Sequence, residues 1–120
     1  FRIVTGIDIE KELDVSNREF SDGETTGYHI SEIVYFLHKR GIHIVEFPSE
    51  CAIENHKGLR YTFKPYDLRE VMQDQTGVFC YAERFCDHAL AWKNNEFINP
   101  SGRPISNHNF EGTFFMLTNP

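Results

Sequence analysis

The apolar residues change period at Gly41, and that change constrains the fold more than any other feature of the chain. Before it, Tyr28 to Arg40 carries Ile30, Ile33, Val34 and Leu37 at i, i+3, i+4 and i+7, the stripe of an amphipathic helix closed by Lys39, Arg40 and Gly41. After it, Ile42 to Phe47 alternates, with Ile42 and Ile44 on one face and Val45 and Phe47 on the other, as a strand requires, and Pro48 is expected to end it. The same division extends outward. Phe1 to Val4 reads as the last turn of a helix that began earlier, stopped by Gly6, and Ile7 to Leu13 as a short helix with Ile9 and Leu13 one turn apart. Ser16 to Gly27 is polar and reads as a loop.

Downstream, Ser49 to Gly58 reads as a polar connection, Arg60 to Phe63 as a short strand, and Pro65 as the opening of a helix over Tyr66 to Gln73. Strands are expected at Gly77 to Ala82, His88 to Trp92, Glu96 to Ile98 and Gly112 to Leu117. Lys93, Asn94 and Asn95 make a tight hairpin between the second and third, because Asn tolerates the left-handed backbone of such turns. Asn99-Pro100-Ser101-Gly102 makes a second turn. Helices followed by an antiparallel sheet define an α+β domain, and no repeat or linker divides residues 1–120.

A chain of 120 residues with 40% hydrophobic content and eleven Phe builds a core without staples and is too apolar for a disordered tail. Its net charge of −6 and scattered basic residues argue against a nucleic-acid backbone binder. No run approaches the roughly 18 to 20 apolar residues of a membrane span. Three cysteines, Cys51, Cys80 and Cys86, cannot all pair with one another, which suits reduced thiols in a cytosol. One bridge, Cys80 to Cys86, stays open for an oxidising compartment.

Chemistry concentrates in Asp87-His88-Ala89-Leu90-Ala91-Trp92 and Phe97-Ile98-Asn99-Pro100-Ser101-Gly102. His88 begins one strand and Asn99 ends the next, so a short hairpin brings both to the same end of the ribbon. A carboxamide that accepts the Nδ1 proton of an imidazole leaves Nε2 able to take a proton from a nucleophile. Asn99 also suits a plain turn, since Asn before Pro commonly initiates one.

These two runs resemble the His-containing half of papain-like cysteine peptidases, especially compact bacterial ones of the bacteriocin-processing type and related secreted effector proteases. The resemblance rests on His88-Ala89-Leu90-Ala91-Trp92 and Asn99-Pro100-Ser101-Gly102, about fifteen residues as a motif, and on the order of elements for most of the chain. It implies a papain-like fold, N-terminal helices packed on a C-terminal antiparallel sheet, with His88 as base and Asn99 as its orienting partner. It also implies acyl-transfer chemistry on a protein or peptide substrate, with no cofactor, in a cytosol or in the cytosol of a host. In that family the nucleophilic Cys opens the first helix, so the nucleophile is expected upstream of Phe1, and the 120-residue chain alone is expected to be inactive. Cys86, two residues before His88, is the nearest internal thiol. The rival expectation is a non-catalytic module of the same fold that binds a partner protein.

Other constellations carry less. Cys80, Cys86 and His88 are spaced too widely for a zinc knuckle, and a fourth ligand would fall to His108 or Cys51 without a supporting pattern, so no metal site is expected. Asp8, Glu10, Glu12 and Asp14 read as a solvated helix face. His43, His56 and His108 have no partner spacing that points to a site.

Overall fold

The computed structural model describes residues 1–13, 30–83, 86–105 and 109–118, with the side chains at 10, 83, 86 and 87 left aside. The expected loop at Ser16 to Gly27, and His108, lie outside them. Helix α1, Arg2–Thr5, is a single turn, and Gly6 closes it in the left-handed region at φ 73°. Helix α2, Ile9–Glu12, is capped by Asp8, whose carboxylate accepts from the Lys11 amide. Helix α3, Ile30–Lys39, has the expected stop. The Ile42 amide donates to the Leu37 carbonyl and the Gly41 amide to that of His38, while Gly41 takes φ +80°. This is a Schellman cap, and it turns the helix directly into the first strand.

Strand β1, His43–Pro48, includes the proline expected to end it. It is an edge strand paired only with the last strand, and there a missing N–H costs no ladder bond. The connection expected at Ser49 to Gly58 contains β2, Cys51–Glu54, which pairs with β3, Arg60–Phe63, as a separate two-stranded hairpin. Four residues were too few to show alternation, and the partner lay across a loop organised by Asn55, whose Oδ1 accepts from the Lys57 and Leu59 amides. Helix α4, Leu68–Val71, begins at an Asp67 cap, because that carboxylate takes the Arg69 amide, and not at Pro65.

The main sheet uses β4 (Gly77–Glu83), β5 (Cys86–Lys93), β6 (Glu96–Ile98), β7 (Pro104–Ile105) and β8 (Thr113–Thr118). With β1 it is six-stranded and antiparallel at every pairing, in the order β1-β8-β4-β5-β6-β7. Asn94 and Asn95 both take positive φ, 54° and 61°, between the paired Lys93 and Glu96, so the β5–β6 turn is the two-residue type its asparagines favour. The domain is α+β.

The register sorts the side chains onto two faces. Phe79, Leu90, Trp92, Phe97 and Phe114 share one face and form the buried core with Leu68 and Met72 from α4. Val78, Ala91 and Phe115 belong to the opposite face, where α1 lies against β5 and α3 against β1. Leu37 of α3 is fully buried. Burying large aromatics under α4 and small residues under α1 lets both layers approach one sheet.

Candidate functional site

His88 stands on β5 opposite Tyr81 of β4. Their rings stack with centroids 5.5 Å apart and planes 25° apart, and Tyr81 stacks in turn on Phe79 at 6.1 Å. The half-buried imidazole is thus held against an aromatic row that runs into the core. At this end of the sheet a cleft of about 720 Å³ is lined by Phe1, Ser49, Cys80, Tyr81, His88 and Glu111 among others, its wall of Cys80, Ala89 and Phe115 belonging to the face opposite the His88 ring. Ser49 and Glu50 bring the start of the Ser49-to-Gly58 segment to the cleft.

Asn99 closes the turn after β6. Its backbone amide donates to the Arg103 carbonyl and its carbonyl accepts from Gly102. Its Oδ1 accepts from the Ser101 amide at 3.1 Å, the Ser101 hydroxyl at 2.6 Å and the Arg103 amide at 3.0 Å. A carboxamide oxygen has two lone pairs, so three donors occupy it fully. Because Ala91 faces Ile98, Asn99 falls level with Leu90, two residues or roughly 7 Å along the strand from His88. The ribbon carries Asn99 back to the His88 end, but the oxygen an imidazole N–H would seek is committed to the turn.

Among the cysteines, Cys51 is a free thiol on the hairpin. Cys80 faces Ala89 across the β4–β5 ladder and Cys86 faces Glu83. The two Cys Cα atoms are therefore offset by three residues, roughly 10 Å along the ribbon, beyond the ~7 Å limit for a disulfide. The Cys86 side chain lies outside the described residues, as does Asp14. Among the described residues no group of three or more His, Cys, Asp and Glu is arranged to hold a metal ion, and no helix is long and apolar enough to cross a membrane.

Sequence reasoning missed Tyr81 as the neighbour of His88 and Phe1 as a residue of the same cleft. Tyr81 was findable from the alternation of β4 once its register with β5 was known. Phe1 was not, because its place depends on how α1 docks on the sheet. No family model matches this chain, nor does any curated protein or solved structure.

Proposed function

We propose that this domain is the base-bearing part of a papain-like cysteine peptidase. The observation that supports this reading most directly is that Phe1, the residue before α1, and His88, the third residue of β5, line one cleft. A cysteine shortly before Phe1 in the complete protein would lie at that cleft and would meet the imidazole, which the register puts on the Phe79 face, only by reaching round this end of the sheet. His88 would draw the thiol proton, and the thiolate would attack an acyl carbon of a peptide or isopeptide bond. Asn99 steadies His88 in this scheme by exchanging one of its turn hydrogen bonds for the imidazole N–H when substrate closes the site. Such tightening is common between apo and substrate-bound catalytic groups. The compartment that suits this thiol chemistry is a cytosol, the cell's own or a host's.

The test is iodoacetamide labelling of the complete protein at neutral pH, with sites mapped by mass spectrometry. A cysteine upstream of Phe1 should label fastest, and His88→Ala should slow it by about tenfold or more, because the base is what lowers the thiol pKa. Absence of any upstream cysteine, or labelling indifferent to His88, overturns the reading.

A separate observation favours the rival function, a module that binds a partner protein. On the β2–β3 hairpin the register places Cys51, Ile53, Tyr61 and Phe63 on one face, and Tyr61 and Phe63 are 54% and 41% exposed. Glu54 and Arg60 pair on the other face at 3.3 Å. A two-stranded ribbon is marginal alone, and an extended segment from a partner would supply the third strand. Selection of linear peptides on the domain, with hydrogen-exchange protection confined to residues 51–63 and lost in Tyr61→Asp, would support this function. Protection elsewhere, or binding unchanged in Tyr61→Asp, would refute it.

A further inference from the structure

His38 and His43 approach each other with Nδ1 atoms 3.0 Å apart and ring centroids 4.8 Å apart, at 65° between planes. One sits in the last turn of α3 and the other opens β1. The Schellman cap between them fixes their separation. Three backbone bonds, from Arg40 and Ile42 to Leu37 and from Gly41 to His38, hold the turn, and the Thr118 hydroxyl holds the His43 carbonyl. Both imidazoles line a cleft of about 380 Å³ that also takes in Ser31, Tyr35 and Glu46.

We propose that His38 and His43 form a two-imidazole site for a late first-row divalent metal ion, of the class Ni²⁺, Cu²⁺ or Zn²⁺. At a metal–nitrogen distance of about 2.0–2.1 Å, two nitrogens 3.0 Å apart subtend about 94° at a shared ion. That is close to the right angle of square-planar and octahedral sites, and a widening of ~0.3 Å reaches the tetrahedral angle. Neutral imidazoles suit these ions. In the metal-free pair one Nδ1 carries the hydrogen that the other accepts. On binding, that proton leaves to solvent and the same ring takes one up at Nε2, so both Nδ1 lone pairs face the ion and no net charge is lost.

Water completes the coordination, and the Glu46 carboxylate adds negative charge to the cleft. Two cations lie nearby, each engaged by an aromatic ring, Lys39 by Tyr35 at the rim of the cleft itself. The Lys39 ammonium lies over the Tyr35 ring at 4.7 Å, and Arg40 lies over Phe36 and pairs with Glu12 at 2.7 Å. With two protein ligands the site exchanges its ion readily, which fits a sensing or recruiting role better than a structural one.

Ni²⁺ alone is the probe, because it prefers imidazole and does not oxidise the thiols. Calorimetric titration of the 120-residue chain at pH 7.5 should show one ion per chain, with paramagnetic broadening centred on the His38 and His43 ring protons. Loss of an outer-shell partner already costs about 10–100-fold in metal affinity, so His38→Ala and His43→Ala should each weaken binding at least tenfold. His56→Ala, on the hairpin loop, should leave it unchanged. His38 is exposed and His43 half-buried, and matching melting curves would show that the variants fold. Affinity retained in both His variants, no saturable binding up to millimolar Ni²⁺, or broadening centred on the cysteines would overturn the proposal.

Discussion

Trp92 donates its indole Nε1–H to the carbonyl oxygen of Met72 at 2.7 Å, inside the core. Both residues are buried, and the bond links the cap of α4 to the middle strand of the ribbon that carries His88. The same indole meets Phe97 edge-on at 4.7 Å and Phe110 at 5.8 Å. It is at once a packing element and the partner of a helix-end carbonyl that no water reaches.

Trp92→Phe should therefore destabilise the domain by about 1–3 kcal/mol, combining a lost buried hydrogen bond with lost volume, while the Gln75 amide, 3.0 Å from the same carbonyl, remains its donor. Urea unfolding followed by circular dichroism measures this, since the variant removes the only tryptophan. A change below about 0.5 kcal/mol would show that the Gln75 amide alone satisfies the carbonyl.

Two glycines should respond differently to alanine. At Gly77 an added Cβ would run into the Phe115 carbonyl oxygen and the Phe114 ring, both fixed in the sheet. Gly77→Ala should cost more than about 2 kcal/mol through forced movement of β8. At Gly41 the space is open but the backbone is left-handed, so Gly41→Ala should cost about 1–2 kcal/mol. Melting temperatures of the two variants should rank in that order.

Asn99 can be separated into its two possible duties. Asn99→Asp keeps an acceptor for the Ser101 and Arg103 donors and should melt within a few degrees of the parent, while Asn99→Ala should lower stability by about 1–2 kcal/mol. In the complete protein, His88→Ala should abolish turnover and Asn99→Ala should reduce it less, because an orienting group sets the ring without taking the reacting proton. Equal losses in both would mean that Asn99 acts only by holding the turn.

Denaturing, non-reducing thiol titration should find all three cysteines reactive, since the β4–β5 register keeps Cys80 and Cys86 too far apart to bridge. A single reactive thiol would show that the register slips.

Much of this architecture was legible locally. Gly6 and Gly41 stop their helices because only glycine enters the left-handed region there without strain, and Asn94-Asn95 turn the hairpin for a related reason. The stripe of α3 and the alternation of β1 were visible because their periods follow from backbone geometry alone. The strand at Arg60–Phe63 was readable, but its partner at Cys51–Glu54 was not, because four residues show no period until a partner is supplied.

The sites divide along the same line. That His88 and Asn99 return to one end of a ribbon followed from chain direction and a short turn. That Asn99 lies two residues out of step with His88, and that its oxygen is taken by Ser101 and Arg103, depended on how many residues the turns consume and on which donors they leave nearby. The His38–His43 pair was unreadable at a spacing of five, which matches neither a helix nor a strand, until the Schellman cap joined the end of one to the start of the other. Local sequence selects backbone conformation within a few residues. Which side chains then meet is settled by register and docking, which depend on the burial of every element at once.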